Sequence, residues 1–116
     1  MYKRQLLVIR AEGRQPIRGT AAWLTGRDPH LHHHMALDSE AEFRRVARFL
    51  TGRAVGLVLA GGGALGCAHL GIVRGLQRAG VPIDLIGGTS AGAAMGAAIA
   101  QGLSVDQTLD LSLIHI

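Results

Sequence analysis

The sequence predicts an α/β fold built on a parallel sheet, and three observations carry that prediction. The continuous apolar run Ala54-Val55-Gly56-Leu57-Val58-Leu59-Ala60 has the character of a strand buried on both faces. A glycine-rich turn follows, then a helical stripe of Leu70, Val73 and Leu76 within residues 66 to 79. A second short strand, Asp84-Leu85-Ile86-Gly87, completes a βαβ unit, whose crossover makes the two strands parallel.

The elements before this unit are read in the same way. Residues 1 to about 37 are basic and irregular, with one short strand expected at Leu6-Leu7-Val8-Ile9. Ser39 and Glu42 form a capping box ahead of Phe43, Val46, Ala47 and Leu50, predicting a helix over 39–51 that stops at Gly52. Residues 1–53 are therefore an upstream flank and 54–110 the main unit. Within that unit, Gly80-Val81-Pro82 ends the first crossover helix. A helix over 91–101 is poor in bulky side chains and so able to approach a sheet closely. Ser104 with Gln107 caps a last helix.

Composition excludes several classes of function. A chain of 116 residues has room for one domain or part of one, and 48% hydrophobic residues argue against disorder. The apolar stretch Ala91 to Ala100 is far below the roughly 20 residues needed to cross a bilayer. The formal charge is +4, but ten of the twelve Lys and Arg residues precede Ala54, and few aromatic residues are present to stack on bases. Nucleic acid is therefore not expected as a partner. One cysteine, Cys67, excludes an internal disulfide and a multi-cysteine zinc site. The stretch Leu6 to Ile9 is shorter than the core of about 7–15 residues that a signal peptide needs. The expected location is cytoplasmic or peripheral to the inner membrane face.

Two glycine motifs carry the chemistry. Gly61-Gly62-Gly63-Ala64-Leu65-Gly66 follows the first strand, and Gly88-Thr89-Ser90-Ala91-Gly92 follows the second. The latter is a G-x-S-x-G segment between strand and helix, the pattern of a nucleophile elbow, in which small neighbours permit a strained turn that exposes the serine hydroxyl. Ser90 also stands at a helix N-terminus, where unpaired N–H groups favour developing negative charge. The first motif is a tight turn able to aim successive N–H groups into one concavity, with Gly62 and Gly63 as the expected oxyanion donors. Parallel neighbouring strands bring both loops to the same sheet edge.

Other readings compete at these residues. Gly61, Gly63 and Gly66 also satisfy a dinucleotide fingerprint, making a nucleotide-binding or non-catalytic binding module the alternative, although Asp84 lies at the start of the second strand rather than its end. The competing structural reading of Ser90 is a helix N-cap. His30, His32, His33 and His34 suggest a metal, yet consecutive residues of an extended segment point to opposite faces, so a surface or structural segment is the simpler reading. His69 is close enough in sequence to approach the site, but is read as a packed or hydrogen-bonded helix residue, and Cys67 as a small buried one. Arg44, Arg45 and Arg48 are read as a solvated helix face, with contact to a membrane surface as the lesser alternative.

With the glycine loop, Gly71 and the elbow in place, residues 54 to about 108 resemble a patatin-like phospholipase domain. Trp23-Leu24, His32-His33-His34 and the segment Arg45 to Gly52 resemble the flank of the bacterial branch related to neuropathy target esterase. The resemblance implies a serine acyl-ester hydrolase of lipid catabolism, acting on phospholipid or lysophospholipid through a Ser-Asp dyad, with no metal and no cofactor. It implies Ser90 as nucleophile and the loop residues Gly62, Gly63 and Ala64 as oxyanion hole, with Gly61, Gly66, Gly88 and Gly92 as motif glycines. The chain departs from the pattern at Leu65, where the family often carries Arg or Lys. The family's downstream Asp-Gly-Gly or Asp-Gly-Ala motif has no counterpart, and Asp106 and Asp110 fall in a predicted helix with no following glycine. The expectation is therefore of an N-terminal fragment, inactive by itself. Upstream regulatory modules such as cyclic-nucleotide-binding domains are expected before Met1. Leu111 to Ile116 resemble a translated sequencing adapter, which places the native sequence end near Asp110. An unpaired sheet edge in such a fragment predicts poor solubility.

Overall fold

The computed structural model describes residues 4–14 and 16–115, and the chain divides into two compact units, 1–53 and 54–116. In the first unit, strand β1 (Gln5–Arg10) is followed by the short helix α1 (Thr20–Leu24), strand β2 (Leu31–Ala36) and helix α2 (Glu40–Leu50). β1 and β2 pair in parallel, with Leu7 opposite His33 and Ile9 opposite Met35. Helix α1 and strand β2 are additions to the single strand and irregular stretch that the sequence suggested for residues 1 to 37. The alternation was present but concealed, because a polar residue takes a core position. His33 is buried, only 3% exposed, where its ring packs 4.8 Å from that of Phe49 and its Nε2 lies 3.0 Å from Gln5 Oε1.

The capping box of α2 forms by half. Ser39 Oγ accepts from Glu42 N at 3.4 Å, while the Glu42 carboxylate accepts from Ala36 N at 2.6 Å and pairs with Arg10 at 2.7 Å. Glu42 thus joins the ends of both strands to the helix instead of closing its own cap. On the arginine row, exposed Arg44 pairs with Glu40, whereas Arg45 lies over the Phe49 ring at 4.9 Å, so the face is only in part solvated.

The second unit contains β3 (Gly56–Leu59), a 3-10 turn (Gly63–Cys67), α3 (Ala68–Arg78), β4 (Leu85–Gly88), α4 (Ala91–Ala100) and α5 (Val105–His115). β3 and β4 are parallel neighbours, with Gly56 opposite Leu85 and Leu59 opposite Gly88, giving a mixed α/β unit on parallel strands. Its core is Leu59, Leu70, Val73, Met95 and Val105, with Leu57, Ile83 and Ile86 packed against it. Asp84 precedes β4 and is buried; its carboxylate accepts from Val55 N at 3.0 Å and its N–H donates to Val55 O at 2.8 Å, pinning the entry of both strands together. The capping box of α5 is reciprocal: Ser104 N donates to Gln107 Oε1 at 2.8 Å and Gln107 N to Ser104 Oγ at 3.1 Å.

One expectation for β3 changes. The apolar run suggested burial on both faces, yet Val58 is 82% and Leu85 52% exposed, while Leu59 is buried. The helices gather over the Leu57, Leu59 and Ile86 face, leaving the other face of this two-stranded sheet open. Among the described residues, no helix is long and apolar enough to cross a membrane.

Candidate active site

Both glycine motifs emerge at the C-terminal ends of the paired strands. The ladder runs on past Gly88, since Thr89 N donates to Leu59 O at 3.0 Å, and the chain then turns sharply at Ser90. Ser90 has φ 53° and ψ −125°, a positive φ adopted by only one other non-glycine residue among those described, Asp28. A serine held in so sparsely populated a conformation stores on the order of 1–3 kcal/mol of strain, a cost that recurs at functional turns. Although Ser90 occupies the N-cap position of α4, its side chain makes no capping bond. Ser90 is exposed and its hydroxyl does not cap the helix, which removes the structural role that the capping alternative required.

The turn closes because its flanking residues have no side chains. A Cβ built on Gly92 would run into Leu59 O and lie 2.5 Å from Ala60 O; one on Gly88 would lie 2.6 Å from Gly92 C. The start of α4 therefore sits directly on the end of β3, an approach that only glycine allows. Gly66 meets the same helix from the other loop, where an added Cβ would lie 2.7 Å from Ala91 Cβ. A Cβ on Gly61 would stand 3.4 Å from Ser90 Cβ, so the glycine loop and the elbow are in direct proximity.

Gly62 precedes the 3-10 turn and its carbonyl accepts the first bond, from Leu65 N at 3.1 Å. That geometry leaves the N–H groups of Gly63 and Ala64 ahead of the first bond of the turn. Gly63, at φ 53°, and Ala64 line a cavity of about 500 Å³ together with Ser90. Gly62 is not part of this lining; its part is the carbonyl that accepts the first bond of the turn. Leu65 is 83% exposed. His69 does approach the loop, with Nε2 2.8 Å from Ala60 O, which ties the crossover helix to the residue before Gly61.

The acids do not enter the cavity. Asp84 is engaged at the opposite ends of the strands, and Asp106 pairs with Arg74 of α3. The C-terminal end of β4 carries Gly88, Thr89 and Ser90 where a dinucleotide site would place its ribose-binding acid. Cys67 is half-buried, its Sγ 3.6 Å from Ser112 Oγ. Among the described residues, no group of three or more His, Cys, Asp or Glu could hold a metal ion.

The family model for patatin-like phospholipase matches residues 57–113, from within β3 to within α5, spanning both glycine motifs. The second unit belongs to the patatin-like phospholipase family. Across this segment and its flank the chain is similar to long curated patatin-like proteins. It is 58% identical over 71 residues to the mouse patatin-like phospholipase domain-containing protein 7, covering 61% of the chain and 5% of that protein. It is 39% identical to the human patatin-like phospholipase domain-containing protein 6, covering 91% of the chain and 10% of that relative, and 54% identical over 66 residues to lysophospholipase nte1 of Aspergillus fumigatus, covering 57% of the chain and 4% of the relative. The chain thus spans a tenth or less of the length of these patatin-like relatives. No solved structure matches it.

The far wall of the cavity was not foreseen from the sequence. Ala94, Met95 and Ala98 of α4 and Thr108, Leu111 and Ser112 of α5 line it. The shortage of bulky residues on α4 was legible, but it suggested only close packing. Leu111 and Ser112, in the stretch resembling an adapter, continue α5 and lie within the matched patatin-like segment.

Proposed function

We propose that the chain carries the nucleophile and oxyanion half of a serine acyl-ester hydrolase acting on phospholipid or lysophospholipid. The observation that carries this reading is the strained, non-capping Ser90 opening into the same cavity as Gly63 and Ala64. Ser90 Oγ attacks the ester carbonyl, and its proton passes to a general base as the C–O bond forms. The N–H groups of Gly63 and Ala64, with Gly62 shaping the turn, hold the oxyanion of the tetrahedral intermediate. Collapse of that intermediate breaks the C–O bond to the leaving oxygen, which takes the proton back from the base and departs as the alcohol; water then hydrolyses the acyl-Ser90, releasing the fatty acid and restoring the hydroxyl. The base is the aspartate of a Ser-Asp dyad, a carboxylate that the described residues do not bring to the cavity. The reaction needs neither a metal nor a cofactor, and a lipid substrate implies peripheral contact with a membrane surface.

A fluorophosphonate probe followed by peptide mapping tests this. Oxyanion stabilisation persists without the rest of a triad and retains on the order of 10³–10⁴-fold over water in the well-studied serine proteases, so slow labelling is expected. The adduct is expected on Ser90 and absent from Ser90→Ala. Lack of a Ser90 adduct, or equal labelling of the alanine variant, refutes the proposal.

A further inference from the structure

The cavity beside Ser90 runs along one helix face. Ala91, Ala94 and Ala98 all line it, at spacings that put them on the same side of α4, leading away from the serine. Thr108 of α5 stands on another wall, and buried Met95 also contributes. Among the described residues, no charged side chain lines the space. The Thr108 hydroxyl already donates to Ser104 O at 2.8 Å, so it does not demand a polar ligand. Methyl groups in place of branched side chains leave this face of α4 open, which accounts for the room of about 500 Å³.

We propose that this channel holds the acyl chain of the substrate, its carbonyl at Ser90 and its tail directed towards Ala98, which gauges the length accepted. The inference rests on the reading of Ser90 as the nucleophile and adds which end of the lipid enters. A zwitterionic or phosphate headgroup placed between these alanines would lose its hydration without gaining partners. A hydrocarbon tail loses nothing polar and gains burial, so the headgroup stays on the solvent side of Ser90.

The dimensions give a number. At a rise of 1.5 Å per residue, the face from Ala91 to Ala98 is about 10 Å long. A carbon zigzag with bonds of ~1.5 Å and angles of ~111° advances ~1.25 Å per carbon, so about eight carbons fill it. Each methylene buried within that length strengthens binding roughly fourfold, and methylenes beyond Ala98 add less.

Displacement of a fluorescent fatty-acid analogue from the chain by straight-chain alkanoic acids of increasing length tests this without turnover. Affinity is expected to climb roughly fourfold per methylene and to flatten near eight carbons. Ala98→Phe moves the break to shorter acids, and the smaller intrusion Ala98→Val moves it the same way by less. Ala97→Phe, on the exposed face outside the lining, leaves the break in place. A rise that continues unbroken to long acids, or the same profile in all variants, overturns the proposal. The hydrolase reading fails separately: a length break without a Ser90 fluorophosphonate adduct refutes that reading, whereas an adduct without a break refutes only the acyl channel.

Discussion

Replacing Ser90 by glycine should stabilise the protein while abolishing the proposed chemistry. At φ 53° and ψ −125° the side chain is held where a non-glycine residue costs on the order of 1–3 kcal/mol. Ser90→Ala removes the hydroxyl but keeps Cβ, and therefore keeps the strain. Ser90→Gly removes the strain, offset by about 0.4–1 kcal/mol for the larger freedom of glycine in the unfolded chain. The glycine variant is thus expected to be about 1 kcal/mol more stable than the alanine variant, from the difference of those two terms. At an ordinary helical position the order reverses, with alanine ahead by roughly 0.5–1 kcal/mol. For a unit of this size 1 kcal/mol corresponds to a rise of about 4–8 °C in Tm. Urea unfolding of the two variants, followed by circular dichroism, measures the difference directly. If Ser90→Ala proves as stable as Ser90→Gly, or more so, the turn stores no strain and the elbow argument collapses.

Three further outcomes are expected. Gly92→Ala places a methyl group against the Leu59 and Ala60 carbonyls, backbone atoms that yield little, and should cost on the order of 1–3 kcal/mol and reduce Ser90 labelling steeply, because an error of ~1 Å in position is worth ~10²-fold in rate. Gly71→Ala, in α3 with open space around the added methyl, is the control and should stabilise by about 0.5–1 kcal/mol; equal urea midpoints for the two variants would contradict the packing described. His33 and His34 are held below the ordinary imidazole value of 6.5, chiefly by burial, with Arg45 and His32 adding to the effect at His33, and His32 and Arg10 at His34, where Glu42 opposes it. Since the unfolded chain then binds protons at higher pH than the folded one, their contribution is fully present above about 6.5 and is lost as pH falls below it. The urea midpoint of the wild-type chain should drop between pH 7.5 and 5.5, and less so in His33→Gln; a wild-type midpoint that rises on acidification would show the sign to be wrong.

Much of the second unit was legible because its signals are local. An apolar run, a glycine turn, a leucine stripe and a G-x-S-x-G segment each depend on neighbours a few residues away, and β3, α3, β4 and α4 lie where those patterns place them. The first unit was less legible, since β2 buries a histidine at a core position and α1 has only five residues, too short for a clear period. Composition at His33 suggests surface, and only the ring of Phe49 and the amide of Gln5, distant in sequence, make it a core residue.

The sequence by itself determined that residues 54–110 form parallel strands with two glycine loops at one edge, and that Ser90 stands at the head of a helix. Chain connectivity and side-chain size are enough for that, because a βαβ crossover and a strand-to-helix turn leave few alternatives. Tertiary structure alone decided that Ser90 does not cap its helix, that Gly63 and Ala64 rather than Gly62 line the cavity with it, and that an alanine face of α4 forms a wall of that cavity with α5. These outcomes depend on where backbone atoms of separate elements come to rest within a few tenths of an ångström. Such close packing is a property of the assembled unit, and no local pattern of residues encodes it.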